Sequence, residues 1–233
     1  MMFPALQGTG GFVPKPGGRP FVPPFLSTQV GIDFEIDPQL RLFYLQKGLL
    51  IWPKVSGGPM GGRPLDPRFG IRKTQVLDLP QVTSEYDFFI QPGIFSAFVN
   101  QPGRSFDLGI RLTHRYEIPH SKWSVGLNFE TVYTFYKEDT VSSDLTGLLA
   151  PWASYRLSQK FATQHWIYGF YRHLRNTPMS KLEWDITEMP YFQNGITFYP
   201  SGSVQVSGLI NCYLFELPSL NTIWGSIWIS FKL

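Results

Sequence analysis

The chain has 233 residues, enough for one β-sheet domain of ordinary size, of which 43% are hydrophobic, 16% aromatic and 16% charged. The charged fraction lies well below the roughly 25% of a typical soluble domain, and no apolar run reaches the roughly 18 residues of a membrane-spanning helix. The net charge of +3 is small and dispersed, so we expect no nucleic-acid partner. The single cysteine, Cys212, excludes an internal disulfide.

The first residues, 1–26, are rich in glycine and proline. Such a segment forms neither helices nor sheet ladders and favours extended, polyproline-like conformations. We predict an N-terminal tail here, either a disordered leader or a segment that plugs the following domain or docks on a partner. Residues 1–6 lack the basic, apolar and small-residue regions of a signal peptide, so for a bacterial protein we expect that the signal has been removed.

Strands are predicted from about residue 27 onwards, because apolar side chains recur at alternate positions. The turn signal Asp37–Pro38 and a Gly/Pro-rich loop over 53–68 separate the early strands. These strands are predicted over 30–36, 40–52, 71–79 and 86–99.

The clearest pattern lies between Arg104 and Lys137. Apolar side chains alternate with polar ones over 106–118, and after a turn at 119–122 the alternation resumes over 123–135. Successive strand side chains point to opposite faces, so this stretch predicts two antiparallel strands. Each exceeds the usual strand length of about five or six residues and reaches the roughly ten that a tilted strand needs to cross a membrane.

After a polar loop at 138–144 the alternation continues to the end of the chain. Further strands are predicted over 149–158, 165–171, 181–187, 192–199, 204–215 and 222–233. An even number of strands joined by hairpins can close and leave no exposed sheet edge. We therefore predict an all-β fold, an antiparallel transmembrane β-barrel of about twelve strands over 27–233 with the Pro/Gly-rich tail 1–26. The alternative is an aromatic-rich soluble β protein.

The last predicted strand carries apolar residues at alternate positions up to Phe231 and Leu233. It resembles the C-terminal targeting strand of bacterial outer-membrane β-barrel proteins, whose terminal residue is more often phenylalanine than the leucine found here. The resemblance implies a targeting role for Phe231 and Leu233, and the outer-membrane assembly machinery as a partner. It also implies the outer membrane of a Gram-negative cell as the location, with an organelle outer membrane as the alternative.

The predicted strand order also assigns the connections to the two sides of the membrane. If the last strand ends in the periplasm, short connections at 159–161, 189–191 and 216–221 face outside. The longer ones at 53–68, 137–146 and 174–180 then face the periplasm. Typical outer-membrane barrels have the reverse arrangement. Either the strand count has slipped, or this barrel presents little to the outside, which would suit contacts with periplasmic or membrane partners.

The two faces of the predicted strands differ in chemistry. Charges of both signs inside a barrel can line a water-filled channel or fill it with ion pairs. We predict a pore-lining role for Asp107, Arg111, Arg115, Asn128, Glu130, Arg156, His165, Glu183 and Asp185. Of these, Arg111, Arg115 and Glu130 are expected to form one cross-strand cluster at the constriction. The other face is apolar, and we predict lipid contact for Leu108, Ile110, Leu127, Ile227 and Ile229.

The sequence offers no catalytic signature. Outer-membrane phospholipases and lipid A deacylases place His and Ser two apart on one strand, and no His-x-Ser occurs here. His165 and His173 are too far apart along one strand to share a metal, and there is no phosphate loop or Cys/His zinc set. We expect no enzyme activity, no metal and no cofactor.

The predicted function is a narrow passive channel for small hydrophilic solutes, embedded in membrane lipid. The alternative is a structural or anchoring barrel in a larger envelope assembly. In that case residues 1–26 and 53–68 would contact other envelope proteins.

Overall fold

The computed structural model describes residues 5–7, 25–51, 61–77, 79–94, 104–137, 143–175, 178, 183–184, 190–202, 204–214 and 223–231. Its strands are β1 (Ala5–Gln7), β2 (Phe25–Asp37), β3 (Leu40–Ile51), β4 (Gly61–Pro64), β5 (Arg68–Thr74), β6 (Val82–Pro92), β7 (Arg104–Glu117), β8 (Trp123–Tyr136), β9 (Ser143–Arg156), β10 (Phe161–Leu174), β11 (Glu183–Trp184), β12 (Tyr191–Ser201), β13 (Val204–Tyr213) and β14 (Ile223–Phe231). No helix within these ranges has the length and apolar character to cross a membrane.

The described strands pair in a closed antiparallel ring. Going round it, the order is β1, β2, β3, β5, β6, β7, β8, β9, β10, β12, β13, β14 and again β1. Two short strands add further pairs and are not counted in the ring: β4 pairs with β3, and β11 pairs with β10. Of the fourteen strands in the described sheet, twelve therefore form the wall. This confirms the predicted all-β antiparallel barrel of about twelve strands.

The segment predicted as a tail contributes one strand to the wall. Ala5–Gln7 pairs with β14 at Ser230 to Trp228, and Gln7 also pairs with Ser27 of β2. The triplet Ala-Leu-Gln contains neither glycine nor proline, so every backbone N–H is free to join a ladder. Residues 8–24 lie outside the described residues, and the boundary between tail and barrel at residue 26 stays a prediction.

The predicted strand over 181–187 does not take a place in the wall. β10 and β12 pair directly and antiparallel, so the chain between them leaves and returns at the same end of the barrel. Within 181–187 the structure describes Glu183–Trp184, which pairs with Tyr171 and Arg172 of β10. Because one crossing is lost, every connection upstream of this segment changes sides relative to the predicted order.

The connections at the two ends therefore differ in length. Those at the end of the barrel where β14 ends, which we call the hairpin end, have two to seven residues: 38–39, 75–81, 118–122, 157–160 and 202–203. Those at the opposite end have six to seventeen residues: 8–24, 52–67, 93–103, 137–142, 175–190 and 214–222. The predicted reversed arrangement is wrong. The observed one, with short turns at the end where the last strand finishes, is that of typical outer-membrane barrels.

The outer face of the ring is apolar and exposed. Directly paired residues share a face, and one such row contains Phe34, Leu42, Ile71, Phe88 and Ile110, all of them exposed. A soluble protein would bury such a row. An exposed apolar band on a closed wall is the lipid-facing surface of a membrane barrel.

Aromatic pairs lie near both ends of this band. Trp123 and Tyr155, beside the hairpin end, have ring centroids 4.9 Å apart. Phe106 and Phe135, near the other end, stack at 4.4 Å. Aromatic girdles at the two interfaces are a regular feature of membrane barrels.

Candidate functional site

A cluster of four charged side chains lies on the inner face of the barrel. Arg72 Nε donates to Asp87 Oδ1 at 2.8 Å, and its Nη1 donates to Asp33 Oδ2 at 3.0 Å. Arg111 Nε donates to Asp87 Oδ2 at 2.9 Å. The Asp87 side chain is only 4% exposed. We call Asp33, Arg72, Asp87 and Arg111 the central cluster; it joins β2, β5, β6 and β7 by charge-assisted hydrogen bonds.

Arg68 extends this charged wall towards the long connections. Its Nη2 lies 2.9 Å from Glu130 Oε1, and its Nε donates to Gln91 Oε1 at 2.7 Å. Arg68 is on β5 and Glu130 on β8, so the side chain reaches across two strands. It does so over the ring of Phe89, whose centroid is 4.4 Å from the guanidinium carbon.

A third group lies beside the connection that precedes β5. Arg104 Nη1 is 3.3 Å from Asp66 Oδ2, and Arg104 Nε donates to Asp107 Oδ1 at 2.9 Å. All three side chains are buried. Asp66 belongs to a connection rather than a strand, so this contact holds part of the 52–67 connection against the inner wall.

The predicted cluster of Arg111, Arg115 and Glu130 does not form. Arg111 binds Asp87, Glu130 binds Arg68, and Arg115 forms an ion pair with Glu117. Arg111 does lie directly opposite Glu130 in the β7–β8 register. It also lies opposite Asp87 in the β6–β7 register, and that second neighbour provides its partner.

Three inward aromatic rings each lie over a glycine of a neighbouring strand. A Cβ added to Gly70, Gly109 or Gly126 would come within 2.7, 2.1 and 2.4 Å of these rings. An arginine also lies over each ring, at 5.2, 4.4 and 5.9 Å from the ring centroid. Cation–π contact adds to the packing in such layers. The three layers are Gly70–Phe43–Arg72, Gly109–Phe89–Arg68 and Gly126–Trp152–Arg115.

Gly109→Ala should destabilise the barrel by about 1–3 kcal/mol, because its new methyl group would overlap the ring of buried Phe89 and force repacking. The free energy of unfolding, from urea titration in lipid vesicles, measures the effect. Gly208→Ala is the matched control, since a Cβ there meets nothing within 4 Å, and it should leave stability unchanged. Equal effects of the two substitutions would contradict the packing of Phe89 on Gly109.

The inner face of β12 and β13 carries no charge and is called the uncharged wall. Tyr168 of β10 donates to Gln193 Oε1 at 3.2 Å, and Gln193 Nε2 donates to Asn211 Oδ1 at 2.7 Å. The hydroxyls of Thr197 and Ser207 lie 2.9 Å apart. The interior thus has a charged side and an amide and hydroxyl side.

The remaining predicted pore residues do not all lie on the inner face. Asn128 shares the inner face with Glu130, and Arg156 lies in the inner-face register at the hairpin end, where it is exposed. The side chain of Glu183 is outside the described residues, as is Asp185. His165 lies on the outer face, where its Nδ1 is 2.8 Å from Asn194 Oδ1 and its ring is 6.4 Å from that of Trp123. Its predicted inward position is wrong.

The predicted lipid-facing residues lie on the outer face as far as the structure describes them. Leu108, Ile110 and Leu127 share the face of the exposed apolar row, and Ile227 is 67% exposed. Ile229 pairs with Val206 in the same outward register as Ile227, but its side chain is outside the described residues. Phe231 ends β14, and Leu233 is outside the described residues. Lipid contact and targeting stay predictions for these positions.

A closed antiparallel ring, with charged and polar side chains among aromatic rings inside and an apolar face outside, is the fold of outer-membrane β-barrel channels. No protein-family model matches the chain, and no curated protein matches its sequence. Among solved structures, the NanC porin matches with a TM-score of 0.57 at 8% identity, covering 100% of this chain and 98% of the porin. An outer membrane channel from Pseudomonas putida F1 matches with a TM-score of 0.62 at 8% identity, covering 99% and 92% of the two chains.

Proposed function

We propose that the protein is a narrow passive channel for small hydrophilic solutes. The observation that carries this proposal is the set of polar groups around the inner face, with ion pairs on one side and amides and hydroxyls on the other, among inward aromatic rings. A barrel of about twelve strands falls between the roughly eight-stranded barrels whose interiors are filled and the roughly sixteen-stranded porins with open channels. The two channels of the same fold support the proposal without identifying a solute.

The proposed location is the outer membrane of a Gram-negative cell, with the hairpin end in the periplasm. Short turns and longer connections divide between the two ends as they do in typical outer-membrane barrels. Insertion by the outer-membrane assembly machinery, directed by Phe231 and Leu233 in the last strand, belongs to the same proposal. The ion pairs of Arg68, Arg72 and Arg111 on the inner face support a charged lining for a transport path.

The competing proposal is an anchoring barrel in an envelope assembly. The observation that favours it is the compensation of charge inside, since interlocked ion pairs can fill a lumen as well as line it. Purified protein in a planar bilayer separates the two. Stepwise ionic conductance supports the channel, and its absence in folded, inserted protein, together with co-purifying partners, supports the anchor. Residues 1–26 and 53–68 are the proposed contacts in that case.

Glu130→Gln should shift the reversal potential in a salt gradient towards anion selectivity. Glu130 balances Arg68 at 2.9 Å, so its neutralisation leaves a cation on the inner wall, and charged rings of one sign select ions of the other. Glu130→Asp keeps the charge and is the control. Open channels with an unchanged reversal potential would exclude this pair from the conduction path.

A further inference from the structure

Four aromatic side chains form a continuous stripe on the inner face of β9, β10 and β12. Their ring centroids are 5.5 Å apart between Trp152 and Trp166, 5.7 Å between Trp166 and Tyr168, and 4.6 Å between Tyr168 and Tyr191. Trp166 pairs with Trp152 on one side and with fully buried Gln193 on the other. This register places the stripe inside the barrel.

The stripe differs from the other inward aromatics in its accessibility. Phe43 and Phe89 are 5% and 1% exposed, because arginines cover them. In the stripe, Trp166 and Tyr191 are partly exposed. Trp152 is partly exposed too, although Arg115 lies over its ring, and Tyr168 is buried. Packing alone explains Phe43 and Phe89, whereas Trp166 and Tyr191 present aromatic surface towards the interior of the barrel.

Polar groups flank the stripe at both sides. At one side, Tyr168, Gln193 and Asn211 hydrogen-bond in sequence and hold the rings in place. At the other, the polar side chains of Arg115 and Asn128 lie on the inner face near Trp152 and are partly exposed. Guanidinium and amide N–H groups donate hydrogen bonds, and a sugar hydroxyl can accept them.

We propose that this stripe is a binding track for short uncharged saccharides that pass through the channel. The C–H faces of a sugar ring pack on the electron-rich faces of aromatic rings, and its hydroxyls supply the complementary hydrogen bonds. The inference rests on the proposed channel function and adds a solute class to it.

Two other solute classes fit the surroundings less well. An anion needs an uncompensated cation, but Arg68, Arg72 and Arg111 each already pair with a carboxylate. Arg115, beside Trp152, pairs with Glu117. An aromatic hydrocarbon would cover the rings but could not hydrogen-bond to the flanking polar side chains.

The test is the ionic current through the protein in a planar bilayer, titrated with maltotriose. The wild type should show reversible, saturable reduction of the current. Trp166→Leu should raise the half-blocking concentration about fivefold or more, as expected for the loss of one stacking contact. Tyr191→Leu gives a second reading if Trp166→Leu fails to fold. Phe88→Leu, on the exposed outer face, is the matched control and should leave the blocking concentration unchanged.

The outcomes of this experiment distinguish failure of the saccharide track from failure of the channel function. Open channels that maltotriose does not block, or blocks equally in wild type and both stripe variants, overturn the saccharide track and leave the channel intact. Block by indole but not by maltotriose overturns the saccharide class. Folded, inserted protein without any conductance overturns the channel and the track together.

Discussion

Arginine in place of Ile110 should lower the free energy of unfolding by about 2–4 kcal/mol, the cost of a cation on the lipid face near the bilayer midplane. Ile110 lies midway along β7, is 43% exposed, and sits between Phe88 and Thr131 in the outward register. Urea titration of the barrel in lipid vesicles measures the loss.

Thr113→Arg is the companion variant for this experiment. Thr113 lies on the inner face of the same strand and directly opposite Glu85, so an arginine there gains both water and an opposite charge. Thr113→Arg should lower the free energy of unfolding far less than Ile110→Arg does. If Thr113→Arg unfolds the barrel while Ile110→Arg is tolerated, the inner and outer faces have been exchanged.

Asp87→Asn should destabilise the protein by about 3 kcal/mol, because removing one partner of a buried ion pair leaves a buried charge uncompensated. Asp87 holds both Arg72 and Arg111, whose side chains are 16% and 28% exposed. Neutralising it removes this carboxylate partner of Arg111 and leaves Arg72 with Asp33 alone. The same unfolding titration measures the effect.

Glu35→Gln provides the comparison for Asp87→Asn. Glu35 is 59% exposed and its contact with Arg41 is 3.8 Å long, so its loss should cost less than about 1 kcal/mol. Adding Arg111→Gln to Asp87→Asn should recover part of the stability, because the double variant removes one uncompensated charge. Equal, small losses in Glu35→Gln and Asp87→Asn would show that the central cluster is as well hydrated as the rim.

Alternation of side chains predicted most of the wall because strand side chains repeat with a period of two. The paired strands over 104–117 and 123–136 follow the sequence pattern almost residue for residue. Where the pattern was too short, prediction failed. Ala5–Gln7 is too brief to show a period, and the alternation over 181–187 could not reveal that β12 pairs directly with β10.

The inner face was harder to predict, for two physical reasons. Each strand has two neighbours, so Arg111 has a possible partner on each side, and the sequence does not show which one it meets. Hydrophobicity also misled the assignment of β10. Its apolar Trp166 and Tyr168 face inwards while His165 faces outwards, because the interior here carries an aromatic stripe.

The three residues of β1 decide whether the wall has an even or an odd number of strands. Without them the ring would have eleven strands, and its two free edges, β14 and β2, run in the same direction. They could meet only as a parallel pair, out of keeping with every other junction. The pairing that prevents this joins Ala5–Gln7 to residues 228–230, which closes the longest loop in the protein and carries the greatest entropic cost of closure. The wall can grow hairpin by hairpin along the sequence, but the barrel closes only when these two distant segments pair.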